Sequence, residues 1–219
     1  SHIIFNITDG DNYSLNLKRL SLREASGLDI RELSLKAKAS KQGASLDNLY
    51  LELPRSEIHI PHAEAVTKDG RRTFNATLAL SRVNLADLRA LVPDFAHIAR
   101  PMLVRASVSG TGKRVAFTQL DVSLPQYAGY RSFNQPSDLR LSATGGLVLG
   151  KPLRWQAVVR QFHANANVVK YFAGKVPEAV MRLGNIAFRG SASGRGADLT
   201  AKGELRTGAG NVTMDVRKT

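Results

Sequence analysis

The residues of this chain best suited to acid–base or metal chemistry are His59 and His62, with Glu57 and Glu64 beside them. Imidazole nitrogens and carboxylate oxygens ligate divalent metals and exchange protons near neutral pH. Successive side chains of a strand point to opposite faces, however, so unbroken alternation puts Glu57 and His59 on one face and His62 and Glu64 on the other. A solvated strand face follows, and no metal site is expected. His97 and His163 stand alone beside two helical stretches and read as surface or packing residues. Gly112-Lys113 invites a phosphate-loop reading, but that loop needs a glycine where Ser107 stands and a hydroxyl residue where Arg114 stands. With no cysteine, thiolate nucleophiles, disulfides and Cys-ligated zinc are excluded. Asn-x-Ser/Thr triplets at Asn6, Asn12, Asn75 and Asn211 are what exposed strands rich in Asn, Ser and Thr produce by chance. No Ser, His and carboxylate set reads as a triad, so neither enzymatic turnover nor a cofactor is expected.

Any function must then come from the elements that carry the side chains. The 219 residues suffice for one large domain or two small ones, and 43% hydrophobic with 22% charged residues is ordinary globular usage. No apolar run approaches the roughly 20 residues of a membrane-spanning helix, and no signal-peptide pattern opens the chain. Ser1-His2 followed at once by Ile3, Ile4 and Phe5 reads as the start of a segment excised from a longer protein, with any anchor or targeting signal outside it. Lys and Arg number 31 against 18 Asp and Glu, a net +13, which favours an anionic partner such as lipid headgroups or another polyanion. At 6% aromatic, with basic residues spread over many strands, no base-stacking platform stands out and nucleic acid is not the expected partner.

Apolar residues alternate with polar ones through most of the chain, as in Leu49, Leu51, Leu53 and in Val115, Phe117. That period is the mark of strands with one dry face. Turn residues such as Lys41-Gln42-Gly43, Lys68-Asp69-Gly70 and Gly194-Arg195-Gly196 separate the runs, and spacing predicts on the order of fifteen strands in an antiparallel meander. Two helical inserts break the pattern at about 84–99 and 167–183. The first has Asn84 as its cap, Asp87 in its first turn and Leu85, Leu88, Leu91 on one stripe. Equivalent surroundings of the inserts, Leu80 to Val83 and Val159 to Phe162, offset by 79, suggest an internal repeat with units of about 46–124 and 125–219 in one continuous elongated segment, 1–219.

The expected fold is therefore all-β with short helical inserts, built on an antiparallel sheet. Two short inserts cannot cover the dry face of so many strands, which leaves a closed sandwich or barrel, or an open trough with an apolar inside. Candidate groove residues, by parity, are Leu49, Leu51, Leu53, Ile58, Ile60, Leu78, Leu80, Val115, Phe117, Leu139 and Leu141, with Tyr50, Glu52 and His59 facing outward.

The run from Leu80 to Pro93, with Asp87-Leu88 followed by Pro93, then a strand ending in glycines, resembles the strand, helix and strand unit of TamB and its AsmA-like relatives. Leu183 to Gly190 with Gly194 and Gly203 to Val212 is similar to a later unit of that family, and Leu20 to Leu33 with Leu46 to Ser56 is similar to its Bacteroidetes-type members. The resemblance implies an elongated, curved, taco-shaped sheet in a periplasmic protein anchored in the inner membrane. It further implies shielding or conduction of phospholipid acyl chains between inner and outer membranes, support of outer-membrane protein assembly, and an outer-membrane partner of the barrel-assembly type met through regions absent from this chain. No catalytic residue is implied. The alternative from the residues alone is a closed β-sandwich scaffold or adhesin that binds a polyanion through its basic face.

Overall fold

The computed structural model describes residues 2–8, 12–23, 29–88, 100–165, 168 and 178–218. The chain divides into two compact units, Ser1–Gly112 and Lys113–Thr219. In the first lie β1 (His2–Thr8), β2 (Asn12–Arg23), β3 (Asp29–Ser40), β4 (Gly43–Glu52), β5 (Glu57–Lys68), β6 (Arg71–Val83) and β7 (Met102–Thr111). The second holds β8 (Arg114–Pro125), β9 (Ser137–Val148), β10 (Arg154–Asn165), β11 (Asn185–Arg195), β12 (Asp198–Thr207) and β13 (Gly210–Lys218). Within each unit every strand pairs antiparallel with its neighbour in sequence, so each is an open meander whose first and last strands do not meet.

Among the described residues there are thirteen strands, where spacing predicts about fifteen. The difference comes from bulges. Register shifts fall between Leu17 and Leu20 in β2, Leu78 and Ser81 in β6, Phe117 and Leu120 in β8, and Val159 and Phe162 in β10. An extra residue in one strand inverts the alternation beyond it, so one strand reads as two short ones. In β4 the slip is at Asn48, which has a left-handed backbone with φ 51°. It lets Ala44, Leu46, Leu49, Leu51 and Leu53 share one face despite their mixed parity.

The tight hairpins behave as their residues predict. Lys68 pairs with Arg71 across Asp69 (φ 51°) and Gly70 (φ 71°), the two positive φ values that match a hairpin's twist. Of the first insert, Leu85–Leu88 is described as a single 3₁₀ turn. The rest of it, including Leu91, and the side chain of Leu88 lie outside the described residues. In the second, Val168 and a short helix α1 (Glu178–Met181) are described.

Most of the buried residues collect where these inserts meet the sheets: Leu53, Ser56, Ser81, Asn84, Met102 and Leu103 in the first unit, and Ser123, Leu124, Ala164 and Val168 in the second; Leu17 and Ala143 are buried within β2 and β9. Asn84 caps its turn, its side-chain oxygen accepting from the Ala86 amide at 3.0 Å. Asn165 does the same for the second insert, accepting from the Val168 amide at 2.9 Å. Both the capping asparagines, Asn84 and Asn165, and the residues before the bulges, Leu78 and Val159, align at an offset of 81.

Candidate functional site

Following the pairing register sideways sorts each sheet into an apolar and a polar face. In the first unit Leu15, Ala37, Leu46, Ala63, Ala76 and Val108 stand opposite one another in turn from β2 to β7. The next row toward the tight turns is Tyr13, Ala39, Ala44, Ala65, Phe74 and Gly110. Small side chains between larger ones leave a shallow groove of about 530 Å³ lined by Leu15, Ala37, Leu46, Ala63, Phe74 and their neighbours. Polar rows lie on the reverse face: Asn16, Lys36, Asp47, His62, Thr77, Ser107, and Ser14, Lys38, Ser45, Glu64, Asn75, Ser109.

The second unit repeats the arrangement. Val122, Leu141, Phe162, Phe188, Leu205 and Val212 form one row from β8 to β13, and Phe117, Gly145, Ala157, Ala192, Ala201 and Val216 another. Glycine is required within this face. At Gly145 a Cβ would fall on the Gln156 carbonyl oxygen and 2.8 Å from the Phe117 ring. Directly paired Gly190 and Gly203 approach so closely that a Cβ on either meets the other's strand. The result is a smooth face on which large side chains remain in the open: Val212 is 58% and Val216 48% exposed. Among the described residues no second layer covers it within the unit.

The eleven groove candidates divide between the units. Leu49 pairs with Ile60 and Leu51 with Ile58, all half-buried on the apolar face. Leu53, just beyond β4, is 2% exposed and belongs to the core at the insert end. Leu78 stands opposite Ala106 on the apolar face. Leu80 does not share that face: the bulge between Leu78 and Ser81 turns it to the other side, 44% exposed, and brings Ser81 inward. In the second unit Val115 pairs with Leu147, Phe117 with Gly145, Leu139 with Leu124 and Leu141 with Val122, all on one face. The alanines that line the groove of the first unit escape a search for large apolar residues. Their signal is the alternation itself, at Ala37 and Ala39 and at Ala63 and Ala65.

The histidines also fall differently from simple alternation. Asn48 in β4 and Pro61 in β5 face each other across an irregularity that leaves their strands in register, so Ile58, Ile60, Ala63 and Ala65 are apolar-facing. Glu57, His59, His62 and Glu64 consequently share the polar face. Tyr50 packs edge-on against His59, with ring centroids 6.1 Å apart. Burial and then the Glu52, Glu57 and Glu32 carboxylates raise the Tyr50 pKa. His62 Nδ1 lies 2.7 Å from Asp47 Oδ1, and its Nε2 is 3.6 Å from Glu64, which itself accepts from Asn75 at 2.6 Å. The hydrogen bond with Asp47 leads the causes that raise the His62 pKa above 6.5. Both ring nitrogens thus meet carboxylates, an arrangement for holding a proton on the ring. Among the described residues no group of three His, Asp or Glu is placed to hold a metal.

Comparison with family models, curated proteins and solved structures gives no match for this chain.

Proposed function

We propose that this chain is a segment of a periplasm-spanning envelope protein that shields or conducts phospholipid acyl chains between the inner and outer membranes, and thereby supports outer-membrane assembly. One observation carries the reading: in each unit a full face of the sheet is apolar from strand to strand and, among the described residues, is left open by the unit's own elements. An aliphatic chain laid on such a face takes the side it presents to the sheet out of water, where full burial is worth about 0.8 kcal/mol per methylene. The strands are also long enough. Twelve residues, as in β3, β5 and β8, span about 40 Å, whereas one leaflet's acyl layer is half of a hydrocarbon core about 30 Å thick. The chemistry is physical shielding, with no bond made or broken, and the resemblance to TamB and AsmA-like proteins supports the same use. The inner-membrane anchor and the contact with a barrel-assembly partner belong, on this reading, to other regions of the protein.

Site-specific photocrosslinking tests it. A photoreactive residue replacing Ala63, on the apolar face, should capture phospholipid in cells, and one replacing Asn75, on the polar face, should not. Capture at neither position, or equally at both, would refute the reading.

A further inference from the structure

The net charge is distributed very unevenly: 16 Lys and Arg less 6 Asp and Glu leave +10 in residues 113–219, against 15 less 12, or +3, in residues 1–112. In the second unit the surplus has a place. At the end of the sheet formed by the tight turns, Arg114 faces Val148, Val148 faces Arg154, and Arg154 faces Arg195. Lys113 and Lys151 sit in the adjoining turns and Arg217 near the end of β13, all exposed. Among the described residues only Asp198, opposite Arg195, opposes them in charge along this edge.

Three cations elsewhere in the unit are paired, whereas Arg160, Arg189 and Lys218 make no ion pair among the described residues. Lys202 meets Asp215 at 2.9 Å, Arg182 meets Glu178 at 2.7 Å and Arg206 meets Glu204 at 3.5 Å. None of the six at the tight-turn edge makes an ion pair among the described residues, and Arg154 stands directly across from Arg195. Like charges opposite one another destabilise a sheet, so such a row is at its most favourable when an anion lies between them. The row next to it on the apolar face is Val115, Leu147, Trp155, Gly194 and Leu199. Arg114, Arg154 and Arg195 alternate with that row and so project to the polar face, and the cationic and apolar rows share only this end of the sheet, around which a long guanidinium side chain can reach.

We infer that this edge of the second unit holds the headgroup phosphate of lipids whose acyl chains lie on the adjoining face, and that it selects phospholipids of net negative charge over zwitterionic ones. The inference rests on the proposed acyl-chain function and adds the lipid class. Guanidinium groups suit the phosphate, since each donates in a planar fork to two phosphate oxygens. Zwitterionic phosphatidylcholine carries its own cation beside the phosphate, which offsets the attraction of the same row.

The test is lipid exchange with vesicles of equimolar phosphatidylglycerol and phosphatidylcholine, followed by repurification and quantification of bound lipid. The wild type should hold phosphatidylglycerol at least about fivefold over phosphatidylcholine, the weight of one basic residue at an anionic surface. In the triple variant Arg114→Gln, Arg154→Gln, Arg195→Gln, whose substitutions are at exposed positions, total lipid should persist while the ratio falls toward one. A far-UV spectrum and melt like those of the wild type will show that the variant is folded, and charge reversal at Arg154 alone, Arg154→Glu, should lower the ratio in the same direction. Glycerophosphoglycerol, the headgroup without acyl chains, should fail to displace bound lipid. Equal loading of the two lipids by the wild type, or an unchanged ratio in the folded variants, overturns the inference and leaves the acyl-chain reading standing. Loading of neither lipid overturns both, and tighter binding of a single-stranded oligonucleotide than of the anionic vesicles assigns the edge to nucleic acid instead.

Discussion

Asp47 and His62 face each other across β4 and β5, and their 2.7 Å contact is strongest when the ring is protonated. Because the folded pKa of His62 is raised, the contact's contribution is fully present below the unfolded value near 6.5 and is lost as pH rises through the higher folded value. Two outcomes follow. In an NMR titration His62 should titrate above 6.5 and shift downward in Asp47→Asn, and the stability gap between wild type and that variant should close as the pH is raised through the folded pKa. A His62 titration identical in the two proteins would refute this pairing. At Gly190 the expectation is steric: a methyl group would fall on the Lys202 carbonyl oxygen, so Gly190→Ala should lower stability by about 1–3 kcal/mol in a urea melt. The identities of these residues were visible in the sequence, but their relations were not. Glu57 and His59 are placed apart from His62 and Glu64 by alternation, and only the facing irregularities at Asn48 and Pro61 reunite them. Asn and Pro are ordinary turn and edge residues, and neither marks a mid-strand slip by type alone.

At the scale of the element, the junction between the first insert and its sheet depends on Ser56, fully buried in the turn before β5. Its hydroxyl donates to Asp87 at 2.8 Å and accepts from the Asn84 amide at 2.9 Å. Asp87 also receives the Arg55 amide at 2.8 Å, tying the β4–β5 turn to the 3₁₀ turn. Ser56→Ala strands a buried amide and weakens a carboxylate's support at once, so it should cost about 1–3 kcal/mol. A melt within error of the wild type would show that the junction contributes nothing. Asn84 as a cap with Asp87 in the first turn is legible because capping is local, spanning two or three residues. The partner of Asp87, 31 residues upstream, is not, since it depends on how β4 and β5 fold back beside β6. Strand number shows the same division. Hairpin turns announce themselves through residues such as Asp69-Gly70, whereas bulges inside β2, β6, β8 and β10 imitate strand ends in the hydrophobic pattern.

For the whole molecule, the all-β antiparallel plan and the surplus of apolar face follow from alternation over nearly the entire chain, which is why composition and period suffice to anticipate them. The grain of that face does not follow from them. Alanine rows give the first unit a groove, while aromatic rings beside obligatory glycines give the second a smoother surface. Leu51 and Phe117 lie on these faces, half-buried, in different units. In a closed core an asparagine at either place would cost about 2–5 kcal/mol or more and unfold its unit. On an open face each should leave the fold largely intact and remove contact with lipid. Quantitative lipid extraction of the purified protein, wild type beside Leu51→Asn and Phe117→Asn, is therefore the most direct measurement. Phospholipid bound to the wild type and reduced in both folded variants is the predicted result; a wild type that never carries phospholipid, with both variants unfolded, would contradict the account.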